Sequence, residues 1–486
     1  MVFSVQEEIN DILKRIGFKE KTPIQKKLLP FTEKKDIIGL SETGTGKTAC
    51  FVIPLIESLA EDPYGVHSLI LTPTRELAVQ TKEKVDTMGS YFGITCEIIH
   101  GGMDVHKQAA RLQKKPHIVI ATPGRLAAMF CSEDNVSVFK RIKKIALDEA
   151  DLLLNSDQSP AIYTILSELL KRTPKAQLLL FSATDIVPKI AIKVHEQGRQ
   201  YQKDSESAFV ADEQLGGEKE GQKEKENNVN TEGTVVLEKD SRKEACDSGE
   251  KKEKEAHSGV SMSEDEIVEK TICPEIWKLI LARDIRTVDT RQSPIPKTIT
   301  QEYALVHRQS KDAHLATLLL EEYKDSKVIV FMNRADNCAI LSEVLQELGI
   351  NAVGLSRCTD NKTRHTSFFR FRSGLARVLL TTDVLSRGLD VKDVGCVINY
   401  DLPNHYTDYI HRIGRTGRIQ QKGHALSFVT AADMAILRNI QAKTSTEIAE
   451  KELRPFTTAR LMNKITTHRE FIMSRIEKTI FKSKNR

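Results

Sequence analysis

Short apolar runs recur along this chain, each followed by polar residues and then by a stretch with apolar positions at helical spacing. In the N-terminal part the runs are DIIGL (36–40), SLILT (68–72), HIVIA (117–121), IALD (145–148) and LLLFS (178–182). In the C-terminal part they are KVIVF (327–331), NAVGL (351–355), RVLLT (377–381), CVINY (396–400) and ALSFV (425–429). Runs with so little polar alternation suit strands covered on both faces, as in a parallel sheet between two layers of helices. The pattern predicts two α/β domains, over 1–298 and 299–445, followed by a helical, basic extension over 446–486. The stretch IWKLILARDIRTVDTRQSPIPK (276–297) reads as resumed structure running into a linker, punctuated by Pro294 and Pro296. Distinctive polar residues follow nearly every run. In open parallel sheets ligands bind beyond the carboxyl ends of the strands, so each domain is expected to carry a site there, the two facing each other across a cleft.

Composition changes this picture in one place. Residues 202–257 hold 16 acidic and 10 basic residues with a single aromatic, Phe209, which predicts a disordered acidic insertion over about 200–270 of the first domain. The whole chain carries +5, so the other 430 residues carry +11, and that excess favours an anionic partner. No run nears the ~18 apolar residues that a membrane span needs, and the N-terminus MVFSVQEEINDILKRIGF lacks the pattern of a secretory signal. The eight cysteines stand singly with no CxxC pair, which counts against a zinc site or a disulfide framework.

The strongest local signal is Ser41-Glu42-Thr43-Gly44-Thr45-Gly46-Lys47-Thr48, set between the run DIIGL and a helix expected to begin near Thr48. Glycines let backbone N–H groups approach phosphate oxygens, and the N-terminus of the following helix favours negative charge. Lys47 would reach the β- and γ-phosphates of a nucleotide, and the Thr48 hydroxyl would ligate Mg2+. The full phosphate-loop pattern has Gly where Ser41 stands. Further on, IALD ends in Asp148-Glu149-Ala150-Asp151. A carboxylate directly after a buried strand, here Asp148, can hold Mg2+. Glu149 is placed to orient and deprotonate an attacking water. Asp151 sits too far round the turn to serve the same metal.

Together these motifs resemble the DEAD-box family of ATP-dependent RNA helicases, over roughly 1–200 and 295–445. Gly17 to Gln25 (GFKEKTPIQ) is similar to the family's adenine-reading motif, with Lys21 where the family usually has Pro. The resemblance implies that Phe18 stacks on the base and that Thr22 and Gln25 bind ATP, since an amide donates to and accepts from the adenine edge at once. Phe3 is the candidate for the motif's isolated upstream aromatic. RNA contacts are implied for Pro73, Thr74 and Arg75, for Gly101 and Gly102, and for Thr122, Pro123, Gly124 and Arg125. In the second domain they are implied for Asn333, Arg334, Arg364, Thr382 and Arg387, with Asn361 where the family often has Gln. Hydroxyls, backbone N–H groups and arginines suit phosphates and read no base, so the binding is expected to be sequence-independent and salt-sensitive. By the same resemblance, Arg415 and Arg418 of HRIGRTGR (411–418) touch the γ-phosphate from the second domain as arginine fingers, and Gly388 and Asp390 bind the ribose side of ATP. Asp151, Ser182, Ala183, Thr184 and His411 couple the two domains.

The resemblance thus implies two RecA-like domains, an enzyme that hydrolyses ATP with Mg2+ when RNA is bound, and local unwinding of RNA duplexes or remodelling of RNA–protein complexes. A DNA-translocating helicase is the competing enzyme, against which the adenine-reading motif and Ser182-Ala183-Thr184 argue. A non-catalytic RNA clamp would be expected had Lys47, Asp148, Glu149 or the arginines been replaced, and none is. The layout, with short flanks and no Arg-Gly-Gly or Arg-Ser tract, is similar to members that process small-subunit ribosomal RNA. That implies a monomer in the nucleus, in the nucleolus, with pre-ribosomal protein partners. Translation-initiation-type members, cytoplasmic and ending sooner after the second domain, are the alternative.

Overall fold

The computed structural model describes residues 5–15, 20–31, 35–154, 157–186, 273–291, 293, 295–356, 359, 361–383, 391, 393–417, 421–453 and 461–474. The expected acidic insertion and the end of the C-terminal extension lie outside them. Among the described residues no helix is long and apolar enough to cross a membrane.

Two parallel sheets carry the architecture. The first contains β1 (Asp36–Leu40), β2 (Ser68–Leu71), β3 (Cys96–Ile99), β4 (Ile118–Ala121), β5 (Lys144–Asp148), β6 (Gln177–Ser182) and β7 (Ile285–Asp289). Their order across the sheet is β3-β4-β2-β5-β6-β1-β7. The second contains β8 (Ile299–Leu305), β9 (Val328–Phe331), β10 (Ala352–Leu355), β11 (Val378–Thr381), β12 (Cys396–Asn399), β13 (Gly423–Val429) and β14 (Ala449–Glu450), in the order β10-β11-β9-β12-β13-β8-β14. All ten apolar runs are strands, and β1, β2, β4, β5, β6, β9, β11 and β12 are buried at every position. Helices cover both faces of such a sheet, so apolar residues fill most positions along these strands, and the polar ones they carry, such as Asp36 and Asp148, are buried. One such contact is Phe51 of the helix Lys47–Glu61 against Phe181 of β6, with ring centroids 5.3 Å apart.

Four strands lack an apolar run: β3, β7, β8 and β14. They lie at or beside the sheet margins, where cover is partial. β7 (Ile-Arg-Thr-Val-Asp) and β8 (Ile-Thr-Gln-Glu-Tyr-Ala-Leu) therefore keep only one and two buried positions, among half-buried and exposed ones. β7 belongs to the stretch read from sequence as running into a linker. It is fastened beside β1 by Arg283, which pairs with the buried Asp36 and donates to the carbonyls of Pro174 at 3.2 Å and Ala176 at 2.6 Å. Beyond the second sheet, helical residues 461–474 bury Ile465 and Ile472 in its core, and Arg469 pairs with Asp312 and Asn337.

Strand order decides where the polar residues meet. β5, β6 and β1 are neighbours, with Leu40 level with Ser182 and Asp148 level with Phe181. The residues that follow these three strands therefore cluster on one half of the first sheet's carboxyl edge. The residues that follow β2, β4 and β3 cluster on the other half.

Candidate functional site

The phosphate-type loop joins β1 to the helix Lys47–Glu61, which begins one residue before the expected Thr48. Gly44 and Gly46 take left-handed conformations, φ 78° and 85°, which side-chain-bearing residues adopt only at a cost. A Cβ on Gly46 would also stand 2.4 Å from Gln25 Nε2. Gln25 in fact donates to the Gly46 carbonyl at 3.2 Å and accepts from Thr22 N at 2.9 Å, so the adenine-type motif is hydrogen-bonded directly to the loop. Ser41 Oγ lies 2.7 Å from Thr45 Oγ1, which donates to the Glu42 carbonyl. Lys47 Nζ donates to the carbonyls of Ser41 at 2.8 Å and Glu42 at 2.9 Å. Its charge is thus held at the loop by backbone oxygens. Burial pulls the Lys47 ammonium below its usual range, against the raising effect of Glu149, Asp148 and Asp151. A phosphate group beside this buried ammonium and the helix N-terminus is the ligand type these residues fit.

Asp148 closes β5 and is buried. Burial first, and the adjacent Glu149 second, push its carboxyl up to about 7. A divalent cation would relieve both penalties, so Asp148, with Thr48 in the first turn of the helix after the loop, fits an ion such as Mg2+. Glu149 follows at φ 52°, a strained value for a residue with a side chain. Its N–H donates to Asp148 Oδ1 at 3.1 Å.

From the second domain, the helix Tyr406–Ile413 and the turn after it meet this cluster. His411 Nε2 lies 2.7 Å from Asp151 Oδ2, both groups buried. Thr184 Oγ1 donates to the same Asp151 carboxylate, and Ser182 Oγ donates to the Thr184 carbonyl at 2.9 Å. Burial alone would raise the Asp151 carboxyl, but the His411 charge, its hydrogen bond and the two hydroxyls outweigh it and hold Asp151 well below the usual carboxylate range. Burial likewise works against His411 protonation, and Asp151 with Glu149 overcomes it, so the imidazole is raised. His411 Nδ1 and Glu149 Oε2 stand 3.9 Å apart, each buried without a hydrogen-bond partner among the described residues. Arg415 is buried, donates to the His411 carbonyl at 3.1 Å and brings Nη2 to 4.0 Å from Glu149 Oε1. Thr43 Oγ1 donates to the Gly414 carbonyl at 3.1 Å, so the phosphate-type loop itself touches the second domain.

The other half of the carboxyl edge holds the residues assigned to RNA. Thr74 caps the helix Arg75–Gly89, accepting from Leu77 N at 3.2 Å, and Pro73 O accepts from Gln158. Arg75 packs against Gly101, where a Cβ would stand 2.8 Å from its Nη2. Gly102 is left-handed at φ 88°. Thr122 and Pro123 begin the helix Pro123–Met129, Gly124 faces open space, and Arg125 donates to the Met103 carbonyl at 2.9 Å. Arg364 of the second domain reaches Glu76 of the first at 3.8 Å, and Arg372 reaches Glu83 at 2.9 Å. Thr382 is buried after β11. Arg334 and Asn333 are both exposed; Arg334 pairs with Asp336, and Asn333 donates to the Leu402 carbonyl at 3.0 Å.

Arg412 was passed over in the sequence, overshadowed by its neighbours Arg415 and Arg418. It is almost fully buried and bonds to both Asp383 oxygens at 2.5 and 2.7 Å, to Asn333 Oδ1 at 2.9 Å and to the Asp401 carbonyl at 2.6 Å. It therefore ties together the residues that follow β9, β11 and β12. A second cation three residues before Arg415, in the last turn of the helix Tyr406–Ile413, is the available signal. Phe3, Phe18, Arg387, Gly388, Asp390 and Arg418 lie outside the described residues.

Residues 22–190 match the model of the DEAD/DEAH box helicase family, and residues 310–420 that of the helicase conserved C-terminal domain. A probable ATP-dependent RNA helicase, ddx49, of Dictyostelium discoideum is 34% identical over 446 residues, 92% of this chain and 70% of that one. The ATP-dependent RNA helicase DBP8 of Candida glabrata is 34% identical over 433 residues, 88% of this chain and 81% of that one. Among solved structures, S. cerevisiae Dbp5 bound to RNA and ADP BeF3 superposes with a TM-score of 0.66 at 22% identity, covering 95% of this chain and 97% of that one. Mss116p bound to ssRNA and AMP-PNP superposes with a TM-score of 0.69 at 22% identity, covering 95% of this chain and 81% of that one. At these identities the likeness is one of fold: two RecA-like domains.

Proposed function

The chain belongs to the DEAD/DEAH box helicase family and is an ATP-dependent RNA helicase, and from that premise we propose how its residues divide the work. Lys47, the loop from Ser41 to Thr48, Thr22 and Gln25 bind ATP in the first domain, with Phe18 on the base. Thr48 and Asp148 would hold Mg2+, which would supply charge neutralisation at the phosphates. Glu149 takes the proton of the attacking water, and its Oε2 is buried beside His411 Nδ1 with no hydrogen-bond partner among the described residues. Arg415, with Arg418, stabilises charge on the transferring phosphoryl group, and Gly388 and Asp390 hold the ribose.

One observation carries this reading: the segment His411–Arg415 is docked against both the phosphate-type loop and the acidic quartet, through Thr43–Gly414, His411–Asp151 and Arg415–Glu149. Nucleotide and domain docking then favour each other. On the RNA side, Pro73 to Arg75, Gly101, Gly102, and Thr122 to Arg125 line the first domain, and Asn333, Arg334, Arg364, Thr382 and Arg387 the second. A strand that contacts both sets also favours docking, so RNA and ATP are coupled through one closed state. Closure on a single strand, in a form a duplex does not accommodate, separates the strands locally.

The domains are taken as 1–298 and 299–445, with 446–486 as an extension. The likeness to the ddx49 and DBP8 relatives supports grouping the chain with members that process small-subunit ribosomal RNA. On that basis the protein works as a monomer on pre-ribosomal RNA in the nucleolus. Coupling is tested by RNA binding. A non-hydrolysable ATP analogue should tighten single-strand binding at least about tenfold over ADP, within the usual 1–3 kcal/mol of coupling between sites. Arg415→Ala should abolish that difference. Equal RNA affinity in both nucleotide states of the unmodified chain would sink the reading.

A further inference from the structure

All strand pairs in the first sheet are parallel, so the segments that lead into its strands share one edge, opposite the edge that carries the phosphate-type loop. Four neighbouring strands, β4, β2, β5 and β6, receive these segments side by side, across about 14 Å at the usual strand spacing. Backbone hydrogen bonds knit the entries together: His67 N to His117 O at 2.9 Å, Lys143 N to His67 O at 2.9 Å, and Gln177 N to Lys143 O at 2.8 Å. The entry to β4 exposes Lys114 and Lys115, that to β5 exposes Lys140, Arg141 and Lys143, and that to β6 exposes Lys175. The entry to β2 adds Tyr64, whose ring lies beneath the Arg141 guanidinium at 4.3 Å and holds it in place.

Opposing charge is sparse here. Lys143 stands 3.6 Å from Asp62, while Lys114, Lys115, Lys140 and Lys175 have no ion-pair partner among the described residues. None of the large exposed apolar side chains belongs to these segments. Protein–protein interfaces are depleted in lysine and depend on aromatic and apolar anchors. A lysine-rich edge without such anchors suits a phosphate backbone instead, where each neutralised phosphate releases counterions.

We propose that this edge is a second, sequence-independent contact surface for RNA. The proposal rests on the helicase reading. Strands of four to six residues separate the two edges by roughly 13–20 Å. The lysines therefore grip RNA flanking the segment engaged by Pro73–Arg75 and Thr122–Arg125, and they act as a tether that leaves the ATP site untouched.

The test is the full-length chain with Lys114, Lys115, Lys140 and Lys143 all changed to Gln, beside a set changed to Arg. Two RNAs are titrated over a range of salt: a single strand just long enough for the motif path, and the same strand with a long duplex flank. The Gln set should weaken binding of the flanked RNA at least about tenfold and lower the slope of log affinity against log salt by up to about 3.6, at ~0.9 for each of four phosphate contacts. The short strand should bind and stimulate ATP turnover as before, and the Arg set should behave as the unmodified chain. Unchanged affinity and slope for the flanked RNA would overturn the proposal, and would be the result if the edge served an acidic protein. Equal losses on both RNAs would overturn it too. Stimulation of the unmodified chain by the short strand reads the helicase assignment on its own, so the two failures are distinguishable.

Discussion

Burial and the adjacent Glu149 raise the Asp148 carboxyl to about 7, while the His411–Asp151 pair titrates apart on either side. In the proposed assignment Mg2+ would take the ionised form of Asp148. Above pH 7 that form is already present; below it a proton must be displaced, and the apparent Mg2+ affinity falls by up to about tenfold per pH unit. Mg2+ titrations of nucleotide binding at pH 6 and 8 should therefore differ by about tenfold, and identical curves would contradict the assignment. For the interdomain pair the signs run oppositely. His411, raised, contributes fully below its unfolded value near 6.5 and loses its contribution as pH rises through its folded value. Asp151, depressed, contributes above its unfolded value near 3.8 and loses its contribution as pH falls through its folded value. The identities of Lys47, Asp148 and Glu149 were legible in the sequence because each follows a strand in a fixed spacing. The left-handed backbone at Glu149 and the web around Arg412 were not, since both arise only when distant strand ends converge.

Elements were readable in proportion to their burial. Strands enclosed by helices announced themselves as unbroken apolar runs, whereas β3, β7 and β8 answer to partial cover and mix polar residues into the run. Strand order, which brings β5, β6 and β1 together, leaves no mark on local sequence. β7 depends on one anchor in particular. Arg283→Ala would leave the buried Asp36 without its ion partner, although Leu178 N still donates to it at 2.8 Å. Loss of one partner of a buried pair costs about 3 kcal/mol, so the first unfolding transition in denaturant should shift by that amount. A shift below about 0.5 kcal/mol, the usual range for surface changes, would mean that β7 is held by strand pairing alone.

At the scale of the molecule, the two sheets are alike and each is incomplete as a catalyst. In the proposed assignment the first supplies the ammonium, the metal carboxylate and the general base, and the second supplies Arg415 and His411, which meet Glu149 and Asp151. Function lies in bringing them together, and the RNA-side pairs Arg364–Glu76 and Arg372–Glu83 cross the same divide. The most direct test of that claim is steady-state ATP hydrolysis with and without single-stranded RNA, beside a DNA strand of the same sequence and a Glu149→Gln control. The account predicts turnover that rises with RNA, does not rise with DNA, and falls by about 10²–10⁴ in the control while ATP still binds. Turnover indifferent to RNA, or undiminished in Glu149→Gln, would contradict it.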